Sequence, residues 1–157
     1  MAFCNRISYF SGVNSQFPMA LHIMGFLTST DGGALTSVMM AKTYGTSPVV
    51  LRRVLAKLQR AGLVQTRRGV GGGSVLGRDP ASITLRDVYE AVADEASVLP
   101  SYSGNCSGPV APVLAGYVNE LFADAEQALL ERLGEVTVAE MDLAVRSRIV
   151  SALQCKA

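Results

Sequence analysis

A mainly α-helical fold with one small β-hairpin is predicted by three observations on the 157-residue chain. Apolar residues recur at helical spacing in stretches beginning near positions 15, 48, 84 and 113. Two short runs, Leu63-Val64-Gln65-Thr66 and Ser74-Val75-Leu76, read as strands joined by the glycine-rich connection Arg67-Arg68-Gly69-Val70-Gly71-Gly72-Gly73. Charge is segregated: residues 1–78 carry nine cations against Asp31 alone, a net of +8, whereas residues 79–157 carry five cations against twelve acids, a net of −7. A basic half beside an acidic half is the pattern of a nucleic-acid reader with a separate, non-binding module.

Residues 1–13 show no period and are expected to form an N-terminal extension, either an addition that helps a dimer or a product of start-site choice, with Val13 as the alternative initiator. The first helix is expected from Ser15 to about Leu27, with Phe17, Leu21, Met24, Phe26 and Leu27 on a broad apolar face and Pro18 tolerated in its first turn. His22, the single histidine, reads as a packing residue in that helix. Asp31-Gly32-Gly33 is a turn, and a second helix, roughly Thr36 to Lys42, is expected to pack Val38, Met39 and Ala41 beneath the third.

That third helix is the best marked. Ser47 is a good N-cap, Pro48 suits the first helical position, and Gly62 suits the left-handed end. Leu51, Val54, Leu55 and Leu58 share one stripe that must face a core. Arg53 and Arg60 then point away from it, Val49 and Ala56 lie beside them, and Arg52 and Lys57 flank them. Two short helices around a tight Tyr44-Gly45-Thr46 turn fit a helix-turn-helix, and the following hairpin, with Arg67 and Arg68 at its tip, fits a wing. The competing reading of the glycine run as a phosphate cradle lacks both the G-x-G-x-x-G fingerprint before a helix and the terminal G-K-[ST].

After the wing, Asp79-Pro80-Ala81-Ser82 is a connector, and Thr84 caps a helix with Asp87 as its capping-box partner and Val88, Ala91 and Val92 as its apolar side. Ser97 to Pro112 reads as a loop. A long helix follows from Val113 to Leu133, with Leu114, Tyr117, Leu121, Ala125, Ala128, Leu129, Arg132 and Leu133 on one stripe that needs a partner, either a second copy of the helix or the winged head. Thr137-Val138-Ala139-Glu140 opens a last helix that ends near Ala152.

Four motifs in order carry a family resemblance: Gly45-Thr46-Ser47-Pro48-Val49-Val50-Leu51-Arg52-Arg53-Val54-Leu55; Leu58-x-x-Ala61-Gly62-Leu63-Val64; Arg68-Gly69-x-Gly71-Gly72; and Ile83-Thr84-Leu85-x-Asp87-Val88-Tyr89-x-Ala91-Val92. From about Asn14 to the C-terminal helices the chain resembles the Rrf-two family of bacterial transcription regulators. The resemblance implies a homodimeric winged helix-turn-helix protein that binds double-stranded DNA.

The cysteines argue about subtype. Cluster-bearing relatives place three cysteines close together in the loop before the long helix, whereas here that loop holds Cys106 alone, with Cys4 and Cys155 remote and no C-x-x-C pair. No cofactor and no metal site are therefore expected, and Cys106 is the candidate redox residue. Arg52 followed by Arg53 replaces the acidic residue of those relatives, which implies a different operator, since arginine donates to guanine while a carboxylate accepts from cytosine.

The expectation is a sequence-specific transcriptional regulator, a repressor, acting as a homodimer on a partly palindromic operator. Residues 1–13 would be an extension, 14–82 the winged DNA-binding domain, and 83–157 the linker loop and helical dimerisation region. Val49, Arg52 and Arg53 would read bases, Lys57 and Arg60 would hold phosphates, Arg67 and Arg68 would work at the wing, and Ser47, with Pro48 behind it, would cap the helix and donate to a phosphate. A small-molecule or redox signal would control binding. The alternatives are a winged module that meets an acidic protein surface and a thiol-based sensor using Cys106. Enzyme activity is not expected, because nothing places a base beside a cysteine. A cytoplasmic setting follows from the lack of a signal-peptide pattern or an apolar run of about 20 residues.

Overall fold

Short polar side chains start four of the helices. In the computed structural model, which describes residues 16–30, 32–93 and 110–154, the helices are α1 (Gln16–Thr28), α2 (Ser37–Tyr44), α3 (Pro48–Arg60), α4 (Leu85–Val92), α5 (Val110–Gly134) and α6 (Val138–Gln154). Thr36 accepts from the Met39 amide at 3.2 Å and Ser47 from the Val49 amide at 3.3 Å. Thr84 and Asp87 form a reciprocal capping box, and Thr137 and Glu140 form another. Each satisfies amides that the first turn of a helix leaves without intrahelical partners. The Thr137 amide and hydroxyl, both donating to Glu140, hold its carboxyl below the ordinary carboxylate range.

Gly62 closes α3. With φ of 70° it lets the Leu63 amide reach the Leu58 carbonyl and its own amide reach that of Gln59, both at 3.0 Å, which is the Schellman arrangement. The chain then enters β1 (Val64–Arg67), which pairs antiparallel with β2 (Gly73–Leu76), Val64 opposite Leu76 and Arg67 opposite Gly73. Leu35 adds a one-residue bridge on the other side of β2, exchanging hydrogen bonds of 3.0 and 2.8 Å with Ser74. Gly73 permits that approach: a Cβ there would sit 2.6 Å from the Leu35 carbonyl oxygen.

The core gathers Ile23, Met24 and Leu27 of α1, Met40 and Ala41 of α2, the α3 stripe Leu51, Val54, Leu55 and Leu58, and Leu63, Val64, Ile83, Val88, Val92 and Val138. Val138 enters it because residues 136–138 return alongside residues 83–85: the Leu85 amide donates to Val136 and the Val138 amide to Ile83, each at 2.8 Å. The same buried cluster therefore runs across positions 82 and 83.

Three expectations are corrected. In α2 the buried residues are Met40 and Ala41, each 1% exposed, while Val38 and Met39 are 57% and 54% exposed, because α2 crosses α3 on the side that residues 40, 41 and 44 share. The long helix begins at Val110 rather than Val113, since Pro112 falls in its first turn, where a missing amide removes no intrahelical bond. Arg67 is the last residue of β1 rather than part of the tip.

α5 contributes no fully buried residue. It packs on α4, and Val113, Leu114, Tyr117 and Leu121 stand exposed along one side. Among the described residues nothing covers Leu114, Tyr117, Leu121 and Leu129 of the stripe expected to need a partner, while Leu133 is half-buried. On α6, Val138 joins the buried cluster and Met141 packs against it, whereas Leu143, Val145, Ile149, Val150 and Leu153 are exposed.

Candidate nucleic-acid interface

Helix α3 presents the expected face. Its apolar stripe is buried, and Val49, Arg52, Arg53 and Arg60 are exposed on the outside, with the capped Ser47-Pro48 start at the N-terminal end. From position 32 to 78 the chain contains no Asp or Glu, so no carboxylate of this stretch neutralises those cations. Among the described residues Lys42, Arg53, Arg60, Arg68 and Arg78 make neither an ion pair nor a side-chain hydrogen bond. The positive potential of α3 and the wing is therefore directed at solvent, ready for a polyanion.

Three cations are tethered: Arg52 and Arg67 to neutral oxygens that leave their charge intact, and Lys57 to a backbone carbonyl. The Arg52 Nε donates to the Ser37 hydroxyl of α2 at 3.1 Å. The Arg67 Nη1 donates to the Gly32 carbonyl at 3.2 Å, holding the wing stem to the turn after α1. The Lys57 Nζ, half-buried, donates to the Val92 carbonyl at 3.2 Å, at the C-terminal end of α4, where a cation meets the negative pole of the helix. Lys57 thus ties α3 to α4, a contact invisible in the sequence because its partner is a backbone atom 35 positions away.

At the wing tip Arg68 is exposed and Val70 stands fully in solvent, and the Gly72 amide closes the turn onto the Gly69 carbonyl at 2.9 Å. The glycine run is accounted for by this turn and by the Leu35 bridge, without a nucleotide. Near α3, Val38 and Met39 of α2 and Val49 and Val50 of α3 add exposed apolar side chains to the cationic surface. The exposure of Val38 and Met39 was not legible from the sequence. His22 lies against Tyr44 of α2, ring centroids 4.8 Å apart and edge-on, and burial lowers its pKa from the ordinary histidine value. The residue as a whole is exposed, so it packs edge-on against Tyr44 rather than inside the core.

Cys106, the candidate redox residue, and the other two cysteines lie outside the described residues, as do positions 1–15.

A short helix pair with an exposed, capped, cationic second helix, followed by a basic hairpin, is a winged helix-turn-helix. The comparisons agree. Residues 13–142 match the Rrf2 family, described as iron-dependent transcriptional regulators, and the chain belongs to that family. It is 28% identical over 130 residues to YwnA of Bacillus subtilis strain 168, a candidate HTH-type transcriptional regulator, covering 82% of this chain and 96% of that one. It is also 28% identical over 123 residues to the HTH-type transcriptional regulator NsrR of the same strain, covering 78% and 84%. Among solved structures, CymR, the global cysteine regulator of Bacillus subtilis, superposes with a TM-score of 0.63 at 26% identity, covering 83% of this chain and 95% of that one. The protein is a winged helix-turn-helix transcriptional regulator, and the family is not enzymatic.

The family description raises the question of iron. An iron-sulfur cluster needs several thiolates converging on it. This chain has three cysteines, at positions 4, 106 and 155, and a single one between α4 and α5. Among the described residues no three His, Cys, Asp or Glu side chains come together. The donor set does not fit a cluster site of the three-cysteine kind.

Proposed function

We propose that the protein is a sequence-specific repressor that acts as a homodimer on a partly palindromic operator. The observation that carries this reading is the unneutralised cationic surface of α3 and the wing. Val49, Arg52 and Arg53 read base edges in the major groove. Arg60 and the Ser47 hydroxyl hold phosphates, and Arg67 and Arg68 of the wing reach the neighbouring minor groove or its backbone. Pro48 fixes the start of α3 that presents Val49. Lys57 acts on this surface chiefly by holding α3 against α4.

The exposed stripe of α5, with Tyr117 and Leu121 at its middle, supports pairing with a second copy, which sets two heads about one DNA turn apart. Occupation of the operator blocks transcription, and a small-molecule or redox signal, with Cys106 as the thiol available for the latter, adjusts the spacing of the heads. The domain division of an extension (1–13), a winged head (14–82) and a helical dimerisation region (83–157) belongs to this reading, as does a cytoplasmic setting.

The test is selection of bound fragments from the protein's own genome at moderate salt, run beside an Arg52→Ala/Arg53→Ala variant. A shared inverted repeat recovered by the native protein and lost in the variant is the expected result. No common sequence from either would move the cationic face to an acidic protein partner. A protein that stays monomeric at micromolar concentration and binds a half-site as tightly as a full site would overturn the dimer.

A further inference from the structure

Arg52 and Arg53 are neighbours on α3, both exposed, yet one is tethered and the other is not. The Arg52 Nε donates to the Ser37 hydroxyl at 3.1 Å, whereas Arg53 has no side-chain partner among the described residues. A surface arginine samples many rotamers, and a bond at Nε fixes the plane of the whole guanidinium, because that group is rigid and planar. With Nε occupied, the edge left for a bidentate contact is the pair of terminal nitrogens. Two parallel N–H donors match the O6 and N7 acceptors of guanine and mismatch adenine, whose N6 is itself a donor.

We propose that Ser37 is the positioning residue that makes Arg52 a guanine reader, so that specificity at one base pair of each half-site is set from α2 as well as from α3. This rests on the reading of the cationic face as a sequence-specific DNA surface. Ser37 is well suited to the role and has no competing one at the cap. The N-cap of α2 is Thr36, so the Ser37 hydroxyl is not needed to start the helix. Alanine is also the better helix former, so Ser37→Ala leaves α2 at least as well formed. A loss of specificity in that variant therefore reports the tether rather than the fold.

The experiment takes the full chain and the operator recovered by the native protein. It measures affinity for that operator and for duplexes substituted at each position, for native, Ser37→Ala, Ser37→Thr, Arg52→Ala and the Ser37→Ala/Arg52→Ala pair. The expected result is a loss in Ser37→Ala of roughly threefold to tenfold in discrimination, the size of one hydrogen bond, confined to a single G·C pair per half-site. Its dependence on salt is unchanged, because no phosphate contact is lost. Ser37→Thr restores the discrimination, Arg52→Ala abolishes it at the same pair, and Ser37→Ala adds nothing in the Arg52→Ala background. Unchanged discrimination in Ser37→Ala, no restoration by threonine, or a loss spread evenly over all positions overturns the inference while leaving the regulator reading intact. Failure of the native protein to recover any common sequence overturns both.

Discussion

The winged head and the helical tail treat their arginines differently: three of the four arginines described in the tail are paired with acids, and only Arg148 is not. In the tail, Arg86 pairs with Glu90 at 2.7 Å, Arg132 with Glu135 at 2.7 Å, and Arg146 with Asp142 at 2.6 Å, each one turn along its own segment. In the head, Arg53, Arg60 and Arg68 meet no acid, and the tethers of Arg52 and Arg67 end on neutral oxygens. The exposed pairs of Arg86 and Arg132 contribute little to stability, and all three pairs cancel the local field. The apolar surface divides the other way: the exposed side of α5 is a continuous helical stripe, while the exposed apolar residues of the head, Val38, Met39, Val49 and Val50, lie among cations. One end of the molecule is arranged to meet a polyanion, and the other carries the exposed apolar stripe that we propose pairs with a second copy.

Five substitutions or conditions probe this division, the strongest first. Arg52→Ala/Arg53→Ala should lower operator affinity by about a hundredfold or more, since each good base contact is worth about 1–3 kcal/mol, while leaving the melting curve in place. Leu121→Glu puts a charge in the middle of the α5 stripe; sedimentation should then find a monomer at micromolar concentration with helix content retained. Gly73→Ala forces a Cβ against the Leu35 backbone, and unfolding experiments should register a loss of about 1–3 kcal/mol centred on the wing. Lys57→Ala removes the cation at the end of α4. A thermal melt should drop by the equivalent of about 0.3–1 kcal/mol, with the salt dependence of DNA binding nearly unchanged. The smallest effect concerns His22. Burial lowers its pKa, so below about 6.5 the unfolded chain takes up the proton first. Stability should therefore decline as pH falls from there through the lower folded value, and His22→Gln should flatten that part of the curve.

The parts of this fold that are local in sequence were legible in it. Ser47-Pro48, Thr84 with Asp87, Thr137 with Glu140, and Gly62 announce helix ends through bonds spanning two to five residues, and all stand as expected. What escaped was set by distant partners. Four successive apolar residues, Val38 to Ala41, cover the whole circumference of an eight-residue helix, so periodicity cannot choose the buried pair; the position of α3 does. The Leu35–Ser74 bridge joins one residue to a strand 39 positions later and leaves no pattern. The candidate interface was legible as a list of cations, because helical phase puts Arg53 and Arg60 opposite the leucines. Which of them are held, and by what, depended on Ser37, Gly32 and Val92, none of which carries a charge to draw notice.

The most direct test of the division between head and tail is the slope of log affinity against log salt for an operator duplex, measured for the native protein and for Arg60→Ala, Arg68→Ala and Arg132→Ala. Each phosphate contact contributes about 0.9 to that slope. The account predicts a decrease of about that size for each of the two head variants and no change for Arg132→Ala, whose charge is already met by Glu135. A slope that is unmoved by the head variants, or that falls as much for Arg132→Ala, would contradict it.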